Sequence, residues 1–278
     1  MNTLHAVLIA TLQGATELFP VSSLGHAVVL PALVNWAIDQ RSPEFLPFLV
    51  LLHLGTAVAL LAYFWRDWLA LALGVIGVSG PQRTRENRRT LLLIVIATIP
   101  AVIIGFVLEK FVRGLFGSPV VAASFLIVNG VMLILAERLR TRDVAIRPMA
   151  TLGVVDAVVI GLWQCLALIP GISRSGATIV GGLLRGVDHA GSAHFSFLIA
   201  TPIILGATVL EVPKLLHESV PPGVFRTAAV AAVVAGIVAW LSTAFLMRYF
   251  KRHEQAGLDP FGIYCIAFGA LALGIILI

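Results

Sequence analysis

Charge is what this chain has least of. Only 12% of its 278 residues are Asp, Glu, Lys or Arg, against 59% apolar, and its mean hydropathy is +1.00. So few polar groups cannot cover a globule of this size in water, so the chain reads as an integral membrane protein. Cysteine is nearly missing as well. Cys165 and Cys265 both sit in apolar runs at no disulfide or zinc spacing, and are expected as inert buried thiols. No G-x4-G-K-[ST] loop occurs, which removes P-loop ATP-driven transport. No cysteine precedes an arginine at the spacing of a cysteine phosphatase. The first residues lack a basic n-region, and Glu17 and Pro20 interrupt the place of a cleavage motif, so this segment is expected to stay attached.

What is present is a series of apolar runs of roughly 18 or more residues, the length of membrane-crossing helices, without the two-residue alternation of a barrel. Six spans are expected, at Phe45 to Trp65, Leu91 to Leu108, Pro119 to Glu137, Phe195 to Val212, Val224 to Met247 and Pro260 to Ile278. Two further segments are too short or too broken to cross. Thr3 to Phe19 stops at Pro20 and restarts over Leu24 to Ile38, while Thr151 to Ile169 stops at Pro170-Gly171 and restarts over Ser173 to Val187. Each reads as a re-entrant helical hairpin, and irregular backbone at membrane depth is tolerated only where it lines a polar cavity or is buried in protein. A semi-apolar stretch from Trp68 to Ser79 and a basic loop over Arg83 to Arg89 lie between the first two spans.

The formal charge of +5 belongs to loops and does not point to nucleic acid. Thirteen of the 19 basic residues fall on one face: Arg66, Arg83, Arg85, Arg88, Arg89, Arg138, Arg140, Arg142, Arg147, Arg185, Arg248, Lys251 and Arg252. Arg41, Lys110, Arg113, Lys214 and Arg226 fall on the other, and Arg174 is left in the core. The richer face is cytoplasmic by the positive-inside rule, with both termini outside. An offset of 151 superposes Gln13 on Gln164, Ser22 on Ser173 and Gly25 on Gly176. The expected fold is therefore one all-α membrane domain over 1–278: six transmembrane helices plus two re-entrant helical hairpins in an inverted-topology repeat, its halves about 1–137 and 151–278. Such repeats place their functional groups near the midplane, where the two broken helices meet.

The chemistry concentrates at those breaks. Gln13 and Glu17 share a helix face, and a carboxylate in an apolar segment costs about 2.5–3.5 kcal/mol on insertion scales, so it marks function. Glu17 can hold a hard cation or act as a base. Ser22 and Ser23 precede a helix that either can cap, and His26 lies three residues past Ser23, within reach of a proton exchange. Arg174 is flanked by apolar and small residues, and a buried guanidinium needs an anion: a phosphate held by its planar fork, or Glu17 across the repeat interface. Ser173, Ser175 and Thr178 add hydroxyls, and restarting helices aim unpaired N–H groups at an anion.

With Q-G-A-T-E-L-F-P-V-S-S-L-G-H at Gln13 to His26, P-G-I-S-R-S-G-A-T at Pro170 to Thr178 and the weaker H-F-S-F-L-I-A-T-P at His194 to Pro202, the chain resembles the undecaprenyl-diphosphatase family, the bacitracin-resistance proteins. The resemblance runs over essentially the whole length. It implies removal of the terminal phosphate of undecaprenyl diphosphate at the outer side of the bacterial plasma membrane, recycling the lipid carrier of cell-wall synthesis. It also implies bacitracin resistance on overproduction and a divalent metal, Mg2+ or in its place Ca2+. By position it implies Glu17 as the motif carboxylate, Ser23 as the candidate nucleophile, His26 as the motif histidine and Arg174 as the phosphate-binding arginine. Gln13 stands where many members carry glutamate, leaving a weaker, neutral metal ligand. His194 stands where arginine is common, and Asp188-His189 replaces an Arg-Glu pair. The S-R-x5-H-x3-D pattern of type 2 phosphatidic-acid phosphatases is absent, since Val180 occupies the histidine position.

The expected partners are a polyprenyl diphosphate lipid and the bilayer, with homo-oligomerisation left open. On mechanism, Ser23 is expected to attack the terminal phosphorus with His26 taking its proton, against water on a metal or attack by His26 itself. The competing class is a transporter or flippase of an anionic polyprenyl lipid, for which broken helices and inverted repeats are equally suited.

Overall fold

The computed structural model describes residues 3–34, 36, 45–115, 117–140, 146–217 and 222–278, without the side chains of 3, 45–47, 109–113, 210–217 and 222–225. Arg41 and Arg142 of the charge bias lie outside the described residues, as do the end of the second short helix expected up to Ile38 and the side chains of Lys110, Arg113 and Lys214. Helices make up the described chain: α1 (Thr3–Thr16), α2 (Ser23–Leu33), α3 (Phe45–Tyr63), α4 (Trp65–Ile76), α5 (Pro81–Leu115), α6 (Pro119–Leu139), α7 (Val154–Cys165), α8 (Arg174–Leu184), α9 (His189–His217), α10 (Pro222–Arg252) and α11 (Asp259–Ile276). A 3-10 turn, Leu166–Leu168, extends α7. Five helices are long and apolar enough to cross a bilayer, and a sixth span results if α3 and α4 are one bent element.

The semi-apolar stretch and the expected loop between the first two spans are both helical. The stretch after Trp65 forms α4, turned 75° from α3. The basic run Arg83 to Arg89 is the first part of α5, which starts on Pro81 and meets no further proline until Pro100. Its polar side chains explain why that run stays ordered. Asn87 Nδ2 donates to Ala70 O (2.8 Å) inside α4, and Arg88 Nε and Nη2 donate to Gly74 O (2.8 Å) and Val75 O (3.0 Å), so Arg88 serves the orphan carbonyls ending α4. The second short helix also stops early, at Leu33, two residues past Pro31.

The broken helices pack on long ones through small residues. A methyl group at Gly14 of α1 would run into Ala235 O of α10, and one at Gly161 of α7 into Ala97 O of α5. Those two close approaches hold each break at a fixed depth against a spanning helix. The main core, which includes Leu18, Leu60, Ile94, Leu133, Ile160, Ile179, Phe195 and Phe197, then surrounds the place where the breaks meet. Cys165 and Cys265 are both free thiols.

Candidate functional site

Both breaks are built by local sequence. After α1 the chain turns through Phe19 and Pro20, with Val21 N donating to Phe19 O (2.7 Å), and Ser22 takes a positive φ of 69°. Ser22 is the N-cap of α2, its Oγ accepting from Gly25 N at 3.2 Å. A non-glycine residue at positive φ is held there by its surroundings, a form of strain common at functional sites. At the second break Gly171 adopts a φ of 101°, which a side chain would disfavour, and Ser173 caps α8 by accepting from Gly176 N at 3.1 Å. Capping therefore falls to Ser22 and Ser173. Ser23 and Arg174, each one residue further on, are left to turn their side chains elsewhere.

The tips are sewn together. Phe19 O accepts from Ser173 Oγ (3.3 Å) and Ser175 Oγ (3.1 Å), and Asn129 of α6 bonds one tip through each end of its amide. The result sets Glu17 beside the second tip. Glu17 is 8% exposed, and its Oε2 accepts from Ser23 Oγ at 2.6 Å and Gln13 Nε2 at 2.9 Å. Its other oxygen, Oε1, accepts from Arg174 Nη2 at 3.0 Å. His53 of α3 brings Nε2 to 3.5 Å of Oε2, while its Nδ1 is bonded to Leu49 O at 2.8 Å. Thus a hydroxyl, a carboxylate, a guanidinium and an imidazole from four elements converge inside a membrane protein.

Two polar atoms in this cluster are buried with no protein partner, Arg174 Nη1 and Gln13 Oε1. An unmet buried donor costs about 1–3 kcal/mol, more when charged, so Arg174 Nη1 is a donor poised for an incoming oxygen. Gln13 Oε1 is the complementary acceptor. Among the described residues no group of three His, Cys, Asp or Glu side chains is arranged to hold a metal ion. A small hard cation would therefore take a Glu17 oxygen and Gln13 Oε1 and draw the rest of its shell from water and phosphate oxygens, which is how such cations sit at phosphate sites.

The other expected residues lie close by with different tasks. His26 Nδ1 is 2.7 Å from Ser22 O and Nε2 is 2.8 Å from Tyr264 OH, and its ring stacks on Tyr264 and Phe268. With Nδ1–H donated to a carbonyl, Nε2 of the neutral ring accepts from the tyrosine. Both nitrogens are occupied away from Ser23. The structure does not bring His26 to Ser23, whose hydroxyl is aimed at Glu17. Ser22, Ser173 and Ser175 spend their hydroxyls on caps and on Phe19 O. Thr178 Oγ1 donates to Arg174 O (2.8 Å) and meets Ser196 Oγ at 2.6 Å, tying α8 to α9. Of the expected phosphate ligands, Arg174 alone has a buried side-chain nitrogen or oxygen with no protein hydrogen bond, while Ser22 Oγ accepts from Gly25 N and keeps its own proton to give.

Sequence reasoning missed His53, Asn129 and Tyr264. His53 carried a signal, being an ionisable residue in the middle of an apolar run. Asn129 and Tyr264 carried none that separates them from ordinary polar residues of a spanning helix.

The family described as Bacitracin resistance protein BacA matches residues 6–271. An undecaprenyl-diphosphatase of Granulibacter bethesdensis is 63% identical over 284 residues, covering 98% of this chain and 96% of the relative. Proteins of the same description from Acidiphilium cryptum and Gluconacetobacter diazotrophicus are 58% and 54% identical, with 98% of each relative covered.

Proposed function

This chain belongs to the bacitracin resistance protein BacA family, and from that premise we infer that it hydrolyses undecaprenyl diphosphate to undecaprenyl phosphate and inorganic phosphate, recycling the lipid carrier for cell-wall synthesis. It is a multi-pass membrane phosphatase. The observation that carries the residue-level reading is the 2.6 Å contact of Ser23 Oγ with Glu17 Oε2, set beside an arginine with a buried N–H to spare.

In the proposed reaction Ser23 Oγ attacks the terminal phosphorus and Glu17 takes its proton. The bridging P–O bond breaks, and undecaprenyl phosphate leaves with the proton that Glu17 passes on through His53. A seryl phosphate remains until water, activated by the again ionised carboxylate, releases inorganic phosphate while its proton returns by way of Glu17 to Ser23 Oγ. Arg174 binds a non-bridging oxygen through Nη1 while Nη2 stays on Glu17, so charge developing on phosphorus meets a fixed cation in a water-poor site. His53 balances the carboxylate and can return a proton to the leaving oxygen. Phosphate release from undecaprenyl diphosphate by the purified protein in detergent tests the activity, and its absence would refute it.

A divalent cation, held by Glu17 and Gln13 Oε1, would supply further charge for the phosphate oxygens. Gln13→Glu should then lower the Mg2+ concentration giving half-maximal activity by about tenfold, the effect of roughly 1.4 kcal/mol. An unchanged metal dependence in that variant would count against this ligand pair.

The six-span architecture with two oppositely entering hairpins is the fold reading that these contacts favour. Supporting it, α1 packs on α10 while α7 packs on α5, the exchange of partners expected when two halves invert. The charge bias supports a cytoplasmic basic face with both termini outside, and the family resemblance implies a site opening to the outside of the plasma membrane. An otherwise cysteine-free protein with Arg85→Cys should resist a membrane-impermeant thiol reagent on intact cells and react after permeabilisation. Labelling of intact cells would reverse the orientation.

A further inference from the structure

We propose that Asn129 is the positioning residue of this site, the strap that sets the Arg174 fork against Glu17. The inference rests on the phosphatase reading above. Asn129 is fully buried in the middle of α6, and it uses both ends of its amide. Nδ2 donates to Pro20 O of the first break at 2.9 Å, and Oδ1 accepts from Ser173 N of the second at 2.9 Å. Pro20 is three residues past Glu17, and Ser173 is the neighbour of Arg174. Breaking a helix inside a membrane strands backbone groups that water cannot reach. The amide meets one such group from each break and so acts as a shared peptide unit between halves that make no regular backbone ladder.

The surroundings of Asn129 point the same way. Leu126 and Leu133, a turn to either side of it on α6, lie against Gly25 of α2 and Gly176 of α8, where added methyl groups would meet them at 3.2 and 3.4 Å. One helix face thus touches both restarting helices, with the amide at its centre. Cys265 Sγ of α11, 3.4 Å from Nδ2, closes the far side. Asn129 touches neither Glu17 nor Arg174, so it acts through the tips. The Ser173 and Ser175 bonds to Phe19 O hold the tips together, whereas the amide ties both to a third element and fixes their register.

Asn129→Leu keeps the branched shape and the number of heavy atoms, with two bulkier methyl groups, and removes both bonds. A displacement of about 1 Å in a catalytic group can cost on the order of a hundredfold in rate, so kcat on undecaprenyl diphosphate should fall by about that factor in protein that remains monodisperse. A double-mutant cycle separates positioning from mere stability. Arg174→Lys replaces the rigid fork by a point charge on a flexible stem, which is insensitive to the register of the tips. In that background Asn129→Leu should cost less than about threefold. Where Asn129→Leu fails to fold, Asn129→Asp, which keeps the acceptor for Ser173 N and loses the donor to Pro20 O, takes its place in the same cycle. Equal losses in both backgrounds, or a folded Asn129→Leu with more than half the wild-type kcat, would overturn the strap and leave the phosphatase reading standing. A wild-type protein releasing no phosphate would instead refute that reading and this inference with it.

Discussion

Ser23→Ala should retain less than a thousandth of wild-type turnover, a barrier increase of about 4 kcal/mol, while remaining folded. The N-cap of α2 is Ser22, so the variant keeps the cap, and alanine is at home in the first turn of a helix. Glu17 keeps Gln13 and Arg174 as partners, so the buried carboxylate is not orphaned. The loss is then chemical. Single-turnover phosphate release at saturating undecaprenyl diphosphate checks it, and a folded variant keeping more than about a tenth of wild-type turnover, within 1.4 kcal/mol, would exclude an obligatory serine nucleophile.

Glu17→Gln should cost about 10²–10⁴-fold in kcat, the range supplied by a positioned base. It should also lower stability, because Arg174 and His53 lose the charge they face. Removing one partner of a buried ion pair typically costs about 3–5 kcal/mol, since the remaining charge stays out of water. Added inorganic phosphate can stand in for the missing charge, binding the folded state and raising its thermal midpoint. The shift should therefore be larger in Glu17→Gln than in wild type. Full activity in this variant, or equal shifts in both proteins, would mean that Glu17 neither takes the proton nor shares Arg174 with phosphate.

The two breaks were legible because their causes are local: Pro20, the Pro170-Gly171 pair and a serine cap after each are short-range signals. Five of the expected spans were legible from hydropathy alone, while Phe45 to Trp65 qualifies as a span only together with α4. The bend between α3 and α4 was not, since the chain turns at Phe64 with neither proline nor glycine there, and the turn is fixed by packing of Phe64 on His194 and Phe197. Arg83 to Arg89 read as a loop because charge reports the side of the membrane and says little about conformation. Arginine and glutamate are good helix formers, and Arg88 has carbonyls to bind at the end of α4.

The site itself divides the same way. Glu17, Ser23 and Arg174 stood out as polar groups in apolar surroundings, and they are the three that meet. The direction of His26 was misread because its partner, Tyr264, lies 238 residues away and turns the ring from Ser23. His53 escaped attention because it interrupts no helix, yet its place opposite Glu17 follows from the packing of α3 that continues the core.

The central claim is that the terminal phosphoryl group passes through Ser23. The most direct test is a rapid acid quench of wild-type protein during a single turnover of undecaprenyl diphosphate labelled in its terminal phosphate, with the labelled peptide mapped by mass spectrometry. The prediction is an acid-stable label on Ser23 that forms before inorganic phosphate appears and decays as it accumulates. Label on His26, sought in a parallel alkaline quench because phosphohistidine is lost in acid, or phosphate accumulating with no protein label in either quench, would contradict it.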